Sequence, residues 1–124
     1  MLHHKQLTYN FNSKEFDSPD IPYSGLKMNK EFINLLQTAR TKAGIPFIII
    51  SGYRSKEHNA LVGGVSNSSH LKGLATDILV KNSGVRYIIL KSLISVGLYR
   101  IGIHHDFIHV DIDNNKPKNL IWLY

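Results

Sequence analysis

The chain predicts an α+β fold, with helices packed on a small, mostly antiparallel sheet. Two patterns carry that expectation. Segments with helical spacing of apolar residues alternate with short β-branched runs as far as Val96, and three strand-like runs then follow with no helix between them. A composition of 43% hydrophobic and 19% charged residues over 124 positions suits one globular body, read here as a single domain over residues 1–124.

Residues 1–27 carry turn chemistry at Asp17-Ser18-Pro19-Asp20, Pro22 and Ser24-Gly25, and are expected to form an extended arm with at most one short strand. From Asn29 to Ala43, Phe32, Ile33, Leu35, Leu36 and Ala39 recur at helical spacing. Asn29 is the expected N-cap, Glu31 suits the first turn, and Gly44 followed by Pro46 ends the helix. Phe47-Ile48-Ile49-Ile50 reads as a buried strand that stops at Ser51-Gly52. Ser55 caps a short helix to Leu61, which Gly63-Gly64 closes. Asn67 to Gly73 is a polar loop, Ala75 to Val80 a strand, and Gly84 to Val96 a second long helix despite its β-branched residues. Leu98–Ile103, Phe107–Ile112 and Leu120–Leu123 complete the strands, with a turn at Asp113-Asn114-Asn115.

Composition excludes several chemistries. The chain has no cysteine, so disulfides, thiolate metal sites and thiol nucleophiles are absent, and any metal must be held by His, Asp or Glu. No apolar run approaches the roughly 18 residues of a membrane span. Residues 1–8 lack the apolar core of a secretory signal. Fifteen Lys and Arg against nine Asp and Glu give a net charge of +6, which favours a polyanionic partner such as nucleic acid or a wall polymer. The basic residues are scattered and no stacking-aromatic motif accompanies them, so nucleic acid is not the expected partner.

The polar residues that need explaining collect near strand ends. Asp77 stands in an apolar strand beside Ile78-Leu79-Val80, where a carboxylate is expensive to bury without a cation or strong hydrogen bonds. His70 precedes it in a polar loop. His109 is a third candidate, because alternation sets Phe107, His109 and Asp111 opposite Ile108, Val110 and Ile112. Two histidines and one carboxylate suit zinc, with water in the fourth position. Asp106, out of phase with His109, is placed at the start of that strand, where a bend aims it toward the metal as general base. Other readings stay open: Asp77 as a cap carboxylate, His109 as a satisfied sheet histidine, Asp111 as an ion-pair or supporting residue, and Asp113 as turn chemistry. Arg54, just past Gly52, either binds a carboxylate or developing oxyanion, or forms a structural pair with Asp111. Asn59 and Gly63-Gly64 either border a cleft or simply stop a helix.

Together these segments closely resemble the M15 family of zinc peptidases, in its D-alanyl-D-alanine carboxypeptidase-like branch found in bacteria and phages. The matching stretches are Glu15 to Asp20, Ser51-Gly52-Tyr53-Arg54-Ser55 with His58-Asn59 and Val62-Gly63-Gly64, the Ser68-x-His70-x-x-Gly73-x-Ala75-x-Asp77 block, and Phe107-Ile108-His109-Val110-Asp111. The resemblance implies one zinc held by His70, Asp77 and His109, Asp106 as general base and His104 as a histidine assisting at the transition state. It also makes Arg54 the residue that holds substrate and polarises the carbonyl. Ser68 and Asn59 join Arg54 as expected substrate-binding positions. The doubled His104-His105 departs from many relatives, and His104 is taken as the one facing the cleft. The implied activity is hydrolysis of an amide bond in the peptidoglycan stem, of D-alanyl-D-alanine carboxypeptidase type. The alternatives are an endopeptidase cutting an L-alanyl-D-glutamate or cross-link bond, and a catalytically silent zinc-containing wall-binding module. A monomer is expected, made in the cytoplasm and, if phage-encoded, released to the wall by a holin-type route.

Overall fold

A computed structural model describes residues 1–124, and its first long helix begins where local chemistry demands. Asn29 accepts from the Phe32 backbone N–H at 2.9 Å, starting α1 (Lys30–Ala43), and Gly44 ends it in the left-handed region. Ser55 likewise caps α2 (Lys56–Leu61) through the His58 N–H, and Asn82 caps α3 (Ser83–Ser95) through the Val85 N–H. Phe32, Ile33, Leu36 and Ala39 of α1 and Ile89 and Leu93 of α3 enter one core with the strands. Each such fully buried large side chain contributes about 1.5–3 kcal/mol.

The strands are β1 (Ile49–Ser51), β2 (Ala75–Leu79), β3 (Arg100–Ile103), β4 (Phe107–Asp111) and β5 (Leu120–Leu123), in the spatial order β1-β2-β4-β3-β5. Three pairings are antiparallel; β5 alone is parallel, beside β3. The fold is therefore α+β on a mostly antiparallel sheet. The turn after β4 does not make a hairpin with β5, because β4 already lies between β2 and β3. Period-2 alternation then sorts the sheet. Ile78, Ile108, Val110 and Ile101 face the helices, while Asp77, His109, Asp111, Arg100 and Trp122 share the other face.

Two expectations are corrected. The first strand is not a buried Phe47–Ile50 run: β1 is an edge strand of three residues, and Ile48 and Ile50 are 43% and 49% exposed. A register shift between Ile49 and Ser51 sets Ile49 opposite Ile78 and Ser51 opposite Asp77, so the bulge turns Ser51 to the polar face. Residues 1–27 are not extended. They form 3-10 turns at Ser13–Phe16 and Ser24–Lys27 with an isolated bridge between Gln6 and Asn12. Phe11 and Phe16 reach the core, and Ser18 and Asp20 tie this segment to Ser55.

Candidate metal centre

Sheet register assembles the site. Ser51, Asp77, His109, Gly102 and Trp122 form one row across all five strands, and Ala75, Asp111, Arg100 and Leu120 form the next. Above the first row lies His70, delivered by a 3-10 turn at Ser69–Lys72 that Ser68 caps through the His70 N–H. Gly73 closes that turn at φ +68°, with its α-carbon against the Lys27 carbonyl, so only glycine fits. The Arg54 N–H donates to the His70 carbonyl at 3.1 Å, locking the two functional loops together.

His70, Asp77 and His109 converge with one ligand atom each, all within 4.8 Å of one another, and all three residues are buried. His70 Nδ1 donates to the Gly52 carbonyl at 2.8 Å, which leaves Nε2 toward Asp77 Oδ1 at 3.3 Å. His109 Nδ1 meets the same Asp77 oxygen at 2.9 Å, and its Nε2 meets Asp111 Oδ2 at 2.7 Å. Asp111 in turn accepts from Arg100 Nε at 2.7 Å and from the Asp113 N–H at 3.0 Å. Each imidazole is thus oriented from behind, by a carbonyl or by a carboxylate, the support a metal-bound histidine needs. Arg54 Nη2 reaches Asp77 Oδ2 at 3.3 Å, so its structural partner is Asp77; Asp111 is matched by Arg100.

Electrostatics reinforce this geometry. Burial alone would raise the Asp77 pKa, but hydrogen bonds from His109 and His70 outweigh it and hold the carboxyl well below the usual range. Burial alone would lower the His109 pKa; its bonds to Asp111 and Asp77 reverse that and raise it. Asp111 is raised by burial and lowered further by His109 and the Asp113 N–H, and stays ionised. Two imidazole nitrogens and one carboxylate oxygen, buried and turned toward one point, are a donor set that fits zinc.

The cluster is the floor of a cleft of about 390 Å³ whose walls include Arg54, Ser68, Lys116, Phe107, Trp122 and Tyr124. Other expected residues stand elsewhere. Asn59 is 3% exposed; it receives Arg54 Nη1 at 3.3 Å and donates to the Val65 carbonyl, so it props Arg54 from behind. Asp106 does not bend back toward the cluster. The His104 N–H bonds the Phe107 carbonyl, closing a two-residue turn that throws Asp106 outward to His105 Nδ1 at 2.9 Å. That exposed contact lowers the Asp106 pKa. His104 lies on the site-bearing face but is stacked on Phe107 at 4.3 Å and accepts from the Asp106 N–H, outside the cleft lining. Asp113 is more than turn chemistry, since it is buried and accepts from Ser69 and Lys72. Arg100, Trp122 and Tyr124 had no place in the expected site. Their alternation is visible along each strand, but the β3–β4 pairing is what sets Arg100 beside Asp111, and the parallel β3–β5 pairing is what sets Trp122 beside His109 and Tyr124 in the cleft wall.

A two-histidine, one-carboxylate cluster flooring an open cleft on an α+β body is the donor set of a mononuclear metal site. The family model for Peptidase M15 matches residues 5–111, and the chain belongs to that family of metallopeptidases. No match was found among curated proteins. No helix is long and apolar enough to cross a membrane.

Proposed function

We propose that the protein is a zinc peptidase that hydrolyses an amide bond in the peptidoglycan stem, of D-alanyl-D-alanine carboxypeptidase type. The observation that carries this reading is the buried His70–Asp77–His109 cluster, oriented on both imidazoles, at the floor of a cleft in an M15 chain. His70 Nε2, His109 Nδ1 and Asp77 would hold zinc, which would supply Lewis-acid polarisation of the scissile carbonyl and a water nucleophile at neutral pH.

The chain's own residues do the rest. Gly52 and Asp111 fix the imidazoles, and Arg100 keeps Asp111 ionised beside His109. Arg54, anchored by Ser51 and Asn59, presents its guanidinium to the cleft, where it binds a substrate carbonyl or carboxylate. Ser68 also lines the cleft, as a substrate contact. Asp106 takes the proton of the attacking water and returns it to the leaving amine. To do so it rotates away from His105, an exposed contact that costs little to break. His104 assists from the same strand end. The net charge of +6 keeps the protein near an anionic wall.

Metal analysis of the purified protein and of a His70→Ala variant, with digestion of defined muropeptides read by mass spectrometry, tests the proposal. Near one zinc per chain, lost in the variant, and release of free D-alanine are expected. Larger fragments without D-alanine would establish an endopeptidase instead, and absence of zinc from both proteins would overturn the reading.

A further inference from the structure

The cleft has a second wall that the residues discussed so far leave without a task. It is built by β5. Trp122 lies over Gly102, where an added Cβ would stand 2.6 Å from the indole nitrogen, and its ring is 5.6 Å from that of His109. Two residues on, the Tyr124 N–H bonds the Ile103 carbonyl, which keeps Tyr124 in phase with Trp122 and on the site-bearing face. The Tyr124 ring packs edge-on against Phe107 at 5.3 Å and against His104 at 5.5 Å, so its direction is set from two sides. It lines the same cleft as Arg54 and the three cluster residues.

We propose that Tyr124 is a catalytic residue of this site, its phenol donating a hydrogen bond to the reacting carbonyl oxygen of the substrate as that oxygen gains negative charge. The proposal rests on the peptidase reading above. It adds a second donor to Arg54 in a cleft from which Asp106 and His104 are both turned away. Ser69 is engaged, donating to Asp113, while Ser68 accepts from the His70 N–H and keeps its hydroxyl hydrogen for substrate. Tyr124 keeps its proton. Burial and the Asp77 carboxylate both raise its pKa. The hydroxyl hydrogen is therefore available to a ligand. Tyr124 is 64% exposed, but the Phe107 and His104 rings hold it in place at the cleft wall, so little reorganisation is needed when charge develops; loss of one such donor lowers kcat by about 10²–10³-fold.

The test is Tyr124→Phe, which retains the ring and its packing. With the zinc-loaded protein and a stem pentapeptide, kcat should fall about 100-fold while KM stays within about twofold. A phosphinate pseudopeptide, whose tetrahedral oxygens resemble the charged reacting carbon, should bind the variant about 100-fold more weakly by calorimetry; the product peptide should bind both proteins alike. Metal content and Tm should not move. An active wild type whose Tyr124→Phe variant keeps kcat and phosphinate affinity within twofold overturns this assignment and leaves the peptidase reading standing. Loss of kcat accompanied by loss of metal or of Tm assigns Tyr124 a structural role and likewise overturns it. A wild type inert on every stem peptide overturns both.

Discussion

Asp111→Asn tests the support behind the metal centre, because it preserves shape while removing the charge and turning one acceptor end into a donor. Asp111 Oδ1 accepts from Arg100 Nε and from the Asp113 N–H, while Oδ2 faces His109 Nε2 at 2.7 Å. An asparagine has one acceptor and one donor end. The oxygen must stay on the side of Arg100 and the Asp113 N–H, since the reverse orientation opposes donor to donor twice. The NH2 group then faces His109 Nε2, which must accept and moves its proton to Nδ1. That is the nitrogen turned toward Asp77, and a protonated Nδ1 cannot ligate a metal. Loss of such a supporting carboxylate weakens metal binding about 10- to 100-fold, or about 1.4–2.7 kcal/mol. The metal-free variant should also lose about 1–3 kcal/mol of stability, because Arg100, 7% exposed, gives up its ionised partner. Chelator competition measures the first quantity and thermal unfolding of the metal-free protein the second. A variant with zinc affinity within twofold of wild type but lowered stability would refute the tautomer argument and leave Asp111 a purely structural residue.

Two further outcomes follow from the same contacts. Gly73→Ala places a Cβ 2.4 Å from the Lys27 carbonyl oxygen at a left-handed φ of +68°. It should cost about 3 kcal/mol and lower Tm by about 10 °C, and a melt shifted by less than about 3 °C would contradict the packing described. The metal-free protein should be most stable between about pH 5 and pH 6.5. Asp111 and Asp113 have folded pKa values below 3.8, so their contribution is complete above that value and is lost as pH falls through the folded ones. His109 has a folded pKa above 6.5, so its contribution is complete below 6.5 and is lost as pH rises through the folded value. Zinc requires neutral imidazole, so loading should remove the alkaline decline; Tm against pH for both forms checks this.

Helices were readable from sequence because their signals are local. Asn29, Ser55 and Gly44 each act within four residues of their own position, and each does in the structure what its chemistry implies. Strands depend on neighbours far along the chain. Phe47–Ile50 has the composition of a buried strand, yet its place at the sheet edge leaves Ile48 and Ile50 to solvent. The arm at residues 1–27 reads as irregular because Phe11 and Phe16 are single apolar residues among turn formers; only their burial shows that the segment belongs to the core.

The site divides in the same way. An aspartate set among Ala75, Ile78 and Leu79 announces that something must compensate it, so Asp77 and the histidines that do so could be singled out from sequence. Asp106 is placed correctly at the strand's start by its spacing but aimed the wrong way, since the direction of its side chain is decided by the tightness of the turn that the His104 N–H closes on Phe107, and no spacing encodes that. Trp122 and Tyr124 were invisible as site residues for a topological reason: they reach the cleft only because β5 runs parallel to β3. Gly102 is the local trace of that wall. A glycine between Ile101 and Ile103 is unfavourable in a strand interior by itself. Any side chain there would overlap the Trp122 indole at 2.6 Å, so this glycine records the close approach of a residue 20 positions later in the chain.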